Sequence, residues 1–499
     1  MKAHSGRLTR LTFLLVFLPG FVAAGNAQDL GSAWAIRGAV LIDGRTDTPI
    51  HDAVVVGSRD RITCAGTAAS CVIPAGARVV DAAGKWLLPG LIDTHVHPRW
   101  VDAASAAREQ RIRFAYGITT TRDAGSLDSL DANLAHRATA ADRLMSEPRL
   151  IVSALLDREY LPKYGTTGYP DLVTALAAAG ADAIKIKEPF SPEMWKTIVS
   201  RAHAAGVPVW GHTWTIESEH FTRAADAGID GVTHMATFSV FGTTPEREDA
   251  AGRNSTEYWL RTRERWLSVD KAALESATRT MVAKQIWFEP TIAIDRYFTL
   301  SYPIDDYSAF APPMPSLWDQ VRPFIPAGGG SRWALADRRR RIDAAFDRMC
   351  EFLHGLADAH VRFVTGTDTG PAGVGLSDEI EFLSACGLGP MRAIQAATSD
   401  AAVALRRDDI GTIAPGKLAD FVVVSADPLR NAANLRIVWR VVKGGVMYHP
   451  PTLLWEVNEA NQLAWWSSLR WRLAEIGAAG LVLGLATVAM KRLVMRRRR

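Results

Sequence analysis

Cysteine is scarce here, with four in 499 residues at positions 64, 71, 350 and 386. That is too few for a disulfide framework to hold a chain of this length. A local Cys64–Cys71 bridge closing a short loop and two ordinary free thiols are equally open readings. A surplus of charge is lacking too. The formal net charge is +4, and much of it lies in Lys491, Arg492 and the closing run of four arginines. The chain has a basic tail and not a basic body, so no nucleic-acid partner is expected. What remains is an ordinary globular mix, 48% hydrophobic and 22% charged. One ordinary core cannot serve this length, and a large barrel with a smaller second domain fits it.

The two ends read as membrane signals. Lys2, Arg7 and Arg10 precede an apolar stretch from Leu11 to Val22 broken by Pro19, with small residues at Ala23, Ala24 and Ala27. Residues 1–27 are therefore expected to be a signal peptide. The stretch falls short of the ~20 residues a span needs, and an uncleaved anchor is the alternative. No cysteine stands just behind it, which excludes lipoprotein anchoring. Near the other end, Ile476 to Met490 carries no charge. A helix of that length reaches only ~22 Å of a ~30 Å hydrocarbon core. Extension to Met495 with Lys491 and Arg492 snorkelling supplies the rest, and Trp465, Trp466 and Trp471 stand where an interfacial belt belongs. A C-terminal transmembrane helix is expected over 473–495, with 496–499 as a basic cytoplasmic tail. A surface or buried helix is the alternative. The body would then be exported, in a bacterial periplasm or at the cell surface, anchored to the cytoplasmic membrane.

Between the ends, residues 33–85 carry strand-like pieces such as AVLIDG, AVVVG and RITCAG, and 410–450 repeat the texture in FVVVS, IVWRVVKGG and VMY. The two flanks are expected to pair into one small β-sandwich. Residues 86–409 alternate apolar strands with helical stretches, the βα pattern of a parallel sheet. Eight candidate strands, most with a polar residue at the end, can be read: LLPGLIDTH, GITTTRD, RLIVSALL, ADAIKIK, VPVWGHT, GVTHM, IWFEPTI and RFVTGTD. Eight closes a (β/α)8, TIM-like α/β barrel, whose catalytic groups come from strand C-terminal ends. Two long connections, 237–284 and 295–348, are expected as lids over the mouth.

The chemistry-bearing residues fall at those ends. His95 and His97 end the first strand two residues apart, so both imidazoles reach the same side. Lys185, His212, His234 and Asp368 end the fourth, fifth, sixth and eighth strands. Singly, each histidine reads as a hydrogen-bonded barrel residue, Asp368 as a helix cap and Lys185 as an ion-pair partner. Together they point to a divalent metal site. Lys187 rivals Lys185, since it faces the same side. Arg122 and Asp123, ending strand two, either line the site or form an internal ion pair that braces it. His203 reads as surface.

These motifs, PGLIDTHVHP, GITTTRDAG, GADAIKI, the two downstream histidines, TGTD and GTIAPGKLADFVVVSADPL, resemble the amidohydrolase superfamily, in its imidazolonepropionase-like and Xaa-Pro dipeptidase-like branch. The resemblance covers roughly residues 33–448. It implies two divalent metal ions, zinc foremost. His95, His97 and Asp368 would hold the buried ion, His212 and His234 the exposed one, and Lys185, as a CO2-derived carbamate, would bridge them. Asp368 would also be the catalytic base and acid. It selects Lys185 over Lys187. Three local features depart from the branch: EPFSPEMW follows the lysine in place of a Gly-rich segment, Ser377 and Asp378 replace a histidine, and His234 is flanked by Thr233 and Met235.

The implied reaction is hydrolysis of a C–N bond in a small amide, cyclic amide or dipeptide. A one-metal deaminase and a lactone or ester hydrolase are alternatives on the same barrel. Glu217, five residues past His212, is a poor match for a deaminase acid. A tethered, non-catalytic binding protein is the reading from another class, against which the complete set of ligand-type residues argues.

Overall fold

The computed structural model describes residues 27–98, 103–125, 130–158, 160–213, 219–241, 256–297, 332–368 and 372–457. Six strands open the described chain: β1 (Ala27–Asp29), β2 (Trp34–Leu41), β3 (Ile50–Ser58), β4 (Arg61–Thr67), β5 (Arg78–Asp81) and β6 (Trp86–Pro89). Eight more follow: β7 (Leu91–Val96), β8 (Ile118–Asp123), β9 (Arg149–Leu155), β10 (Ala183–Ile186), β11 (Val209–His212), β12 (Gly231–Thr233), β13 (Trp287–Glu289) and β14 (Arg362–Phe363). The last three are β15 (Phe421–Val424), β16 (Val438–Lys443) and β17 (Val446–Tyr448).

The flanks do pair, into a single nine-stranded sheet ordered β1-β17-β16-β15-β6-β2-β3-β4 with β5 beside β2. The joint is β15 against β6, antiparallel, with Phe421 opposite Pro89. Trp34, Ile36, Val55, Phe421 and Val423 form its apolar core. The expected first barrel strand divides within its own sequence. Trp86–Pro89 belongs to this sheet, and only Leu91–Val96 enters the next one. Gly90 is the crossing point, because a Cβ there would lie 2.1 Å from the Thr119 hydroxyl, and no side chain fits.

Strands β7 to β14 form the second sheet in sequence order, all parallel. Each expected strand segment contributes one of them. Strands buried on both faces read as near-continuous apolar runs, and β9 and β10 are that kind. The sheet curls until its first strand meets the residues beyond its last. Thr94 N donates to Thr365 O at 2.9 Å and Asp368 N to His95 O at 2.8 Å, with a parallel bridge between Val96 and Asp368.

Four helices bear on the site: α1 (Thr256–Glu264), α2 (Ile292–Tyr297), α3 (Arg332–Asp358) and α4 (Val374–Leu383). The described parts of the two long connections pack on each other. Arg338 of α3 meets Glu264 of α1 at 3.4 Å, and the Trp266 ring lies tilted against Phe352 in the main core. Residues 242–255 and 298–331, the parts of these connections that bear most on the lid expectation, lie outside the described residues.

Cys64 and Cys71 are disulfide-bonded, as one of the two open readings had it. Cys350 of α3 is bonded to Cys386, just past α4. Both partners sit in elements far apart in sequence, so no local spacing announced this pair. The segments 1–27, 473–495 and 496–499 lie outside the described residues except for Ala27. No helix among the described residues is long and apolar enough to cross a membrane.

Candidate active site

His95 sits near the end of β7 with no solvent exposure. Its Nδ1 lies 2.6 Å from Glu289 Oε2 at the end of β13. Glu289 also takes both hydrogen bonds from Arg122 Nη2, at 2.9 and 3.0 Å, and one from the Thr94 hydroxyl. Arg122 Nε donates to Thr94 O at 2.6 Å, and its guanidinium lies over the Trp210 ring, 4.2 Å from the centroid. Arg122 is thus a brace inside the sheet and not a lining residue. Asp123, also buried, accepts from Gly125 N at 3.0 Å and shapes the turn after β8.

Glu289 is the functional residue the sequence reading passed over. Its signal was present: it ends the IWFEPTI strand as the histidines end theirs. A buried carboxylate that holds one imidazole nitrogen fixes the tautomer and leaves the other nitrogen as a lone pair. In His95 that other nitrogen, Nε2, is buried and has no hydrogen-bond partner. It faces Asp368 Oδ1 at 3.8 Å. Close approach here depends on Gly366, where a Cβ would stand 2.4 Å from the His95 Cβ.

Asp368 gathers the others. Its Oδ1 is 3.2 Å from His97 Nε2, and its Oδ2 is 3.9 Å from His234 Nδ1. His234 Nδ1 also meets the Thr291 hydroxyl at 2.8 Å, while its Nε2 faces His212 Nε2 at 2.6 Å. Five of the six expected side chains meet in one place, and Lys185 stands near enough to act electrostatically on three of them. The ligand atoms of His95, His97 and Asp368 lie within 4.8 Å of one another, and so do those of His95, His212 and His234. The first trio is the set that the resemblance implied for the buried ion, and His95 is common to both.

Two of these residues hold unusual backbone. His234 has φ 71° and Asp368 φ 55°, the left-handed region that costs a non-glycine residue roughly 1–2 kcal/mol. His234 N is tied to Glu289 O at 2.8 Å and Asp368 N to His95 O at 2.8 Å, so neighbouring strands hold the strain. Strained residues of this kind gather at functional sites.

Lys185 has no solvent exposure, and its Nζ donates to the Thr233 hydroxyl at 3.0 Å. Burial pushes its pKa well below the ordinary lysine value, and Glu289 only partly opposes that. A buried amine of this kind can be neutral near pH 7. Lys185 acts electrostatically on His95, His212 and His234 alike, whereas Lys187 acts on the last two. Lys185 is thus the deeper of the rivals. Burial holds His95 and His212 well below the ordinary histidine value and His234 down to about 3. All three are neutral ligands in waiting. Burial pushes Asp368 up, but the facing imidazoles His97 and His234 and Lys185 bring it below the usual carboxylate range.

Behind the site, Asp295 of α2 pairs with Arg263 of α1 at 2.7 Å, and burial raises its carboxyl to about 6. Glu379 of α4 accepts from Ala293 N at 2.7 Å at the start of α2. His203 meets Asp230 at 2.7 Å on the surface, as expected. Glu217 lies outside the described residues.

The sequence pattern of the amidohydrolase family matches residues 86–447. An imidazolonepropionase of Rhizorhabdus wittichii is 32% identical over 244 residues, which is 37% of this chain and 60% of that protein. The match thus spans less than two thirds of that relative's length. In fold, the chain is similar to a Xaa-Pro dipeptidase solved with bound methionine, with TM-score 0.61 and 21% identity over 84% of this chain and 100% of that one. It is similar also to molinate hydrolase, with TM-score 0.58 and 21% identity over 83% and 94%.

Proposed function

This chain belongs to the amidohydrolase family, and on that premise we propose that it hydrolyses a carbon–nitrogen bond in a small amide, cyclic amide or dipeptide with metal-assisted water attack. The observation that carries this reading is the meeting of His95, His97, Lys185, His212, His234 and Asp368 from five strand ends. The donor set fits metal. The buried His95 Nε2 has no protein partner, two imidazole nitrogens face each other at 2.6 Å, and neutral imidazole with carboxylate suits zinc, manganese or iron.

His95, His97 and Asp368 would hold one ion and His212 and His234 a second, with Lys185 as its carbamate bridging them. Two divalent ions, zinc by this donor set, supply Lewis acidity that brings a water's pKa toward neutrality and polarises a carbonyl. The chain's own residues do the rest. Lys185 is kept neutral by burial, the state an amine needs to take up carbon dioxide. Glu289 and Arg122 fix the His95 ring. Asp368, ionised and beside His97 and His234, accepts the proton of the attacking water and passes it to the departing nitrogen. The C–N bond breaks and the products are a carboxylate and an amine.

The test is metal analysis of the loaded full-length protein beside a panel of N-acyl amino acids, dipeptides and lactams. Two ions per chain with turnover of one member is the expected result. One tightly held ion, or no turnover across the panel, overturns it.

Export and membrane anchoring through residues 1–27 and 473–495 belong to the same proposal. The two disulfides support an oxidising compartment. Fractionation of cells carrying the full chain tests it, and recovery in the cytosol overturns it.

A further inference from the structure

Four basic side chains stand around the candidate site, and three are engaged. Arg122 is held by Glu289 at 2.9 Å, Arg263 by Asp295 at 2.7 Å, and Lys185 by the Thr233 hydroxyl at 3.0 Å. Lys187 is the exception: among the described residues it makes no hydrogen bond and no ion pair. It follows β10 directly, two residues beyond Lys185, and alternate residues of a strand share a face. Lys187 therefore lies on the Lys185 side but one step nearer the mouth. Ile186 is in register with Gly211, which sets Lys187 beside His212. It is only half-buried, where Lys185 is sealed. Burial lowers its pKa, and Asp368, Asp123 and Asp157, none of them within ion-pair distance, favour its charged form.

An ammonium placed beside the histidine cluster without a protein partner is poised for an anion. Resting on the hydrolase reading above, we propose that Lys187 anchors a carboxylate of the substrate, so that the amide cleaved here belongs to an anionic acyl-amino acid or a dipeptide with a free C-terminus. Lys187 is on this account a binding residue, and the metals remain the business of Lys185 and the histidines.

The experiment measures binding, so that it stands apart from turnover. Full-length, metal-loaded protein is titrated calorimetrically with N-acetyl amino acids of small, aliphatic and aromatic side chains, each beside its C-terminal amide. A charge-assisted contact predicts that at least one acid binds about tenfold or more tighter than its neutral amide. K187M abolishes that preference while keeping the metal content of the parent protein, and K187R retains most of it. An equal preference in K187M assigns the carboxylate to the metals and overturns the proposal. So does the absence of any acid-over-amide preference in the parent protein, or a loss of bound metal in K187M. The hydrolase reading fails separately, by one-ion stoichiometry or by no turnover of the panel, whatever Lys187 does.

Discussion

Glu289 Oε2 lies 2.6 Å from His95 Nδ1, with both side chains fully buried. The carboxylate is shared with Arg122, so one group orients the imidazole and neutralises the guanidinium. Removing it strands a buried charge and frees the ring. Glu289→Ala is expected to lower metal affinity about 10–100-fold and stability by about 3–5 kcal/mol. Chelator competition and urea unfolding measure the two. A variant within about 0.5 kcal/mol of the parent and with the same metal affinity refutes the role.

Among the described residues, Asp368 is the one carboxylate in contact with several site histidines. Asp368→Asn keeps the shape and removes the proton acceptor. Turnover is expected to fall about 10²–10⁴-fold, and metal content, read on the same samples, separates lost base from lost ligand. Turnover within a factor of ~2 of the parent would remove Asp368 from the chemistry.

The carbamate reading makes carbon dioxide a reagent in metal loading. Apo-protein given zinc in CO2-free buffer should take up less metal than the same protein with bicarbonate. Lys185→Ala should show no bicarbonate effect. An equal uptake by the parent protein in both buffers would rule the carbamate out.

Acid sensitivity follows from the neutral histidines. Burial depresses His234 to about 3 in the folded state and depresses His95 and His212 in the same direction, against ~6.5 when unfolded. Below that value the unfolded chain binds protons that the folded chain refuses, so stability falls as pH drops from about 6.5 toward 3. Melting temperatures of the metal-free protein should decline over this window. His234→Gln should flatten the decline. A profile level from pH 7 to 4 contradicts the burial argument.

Lys443 ties the nine-stranded sheet to the curled one. Its Nζ lies 2.7, 2.9, 3.2 and 2.9 Å from the carbonyls of Ala140, Asp142, Met145 and Glu147. Lys443→Met leaves those acceptors unpaired and is expected to cost about 2–4 kcal/mol by urea unfolding. A change under about 0.5 kcal/mol would show that water satisfies the loop.

Much of this was legible in the sequence because it is periodic or local. Eight short apolar runs announced the parallel sheet, since strands buried on both faces are apolar along most of their length. The same runs placed His95, Lys185, His212 and Asp368, because the last residues of each run reach the mouth. Glu289 was missed because its one signal, the place at the end of β13, does not say what the carboxylate holds. Its meaning lies in Arg122 and His95, 167 and 194 residues away. The Cys350–Cys386 pair was hidden for the same reason, 36 residues apart in separate elements.

By itself, then, the amino-acid order determined which elements form and which side chains stand at their ends, because strand periodicity acts over a few residues. Tertiary structure decided what those side chains do to one another. It split the 86–96 segment at Gly90 between two sheets, turned His234 and Asp368 into left-handed backbone, and made Arg122 a brace. Those outcomes depend on distances between strands that meet only when the sheet curls, and no local pattern in the chain encodes them.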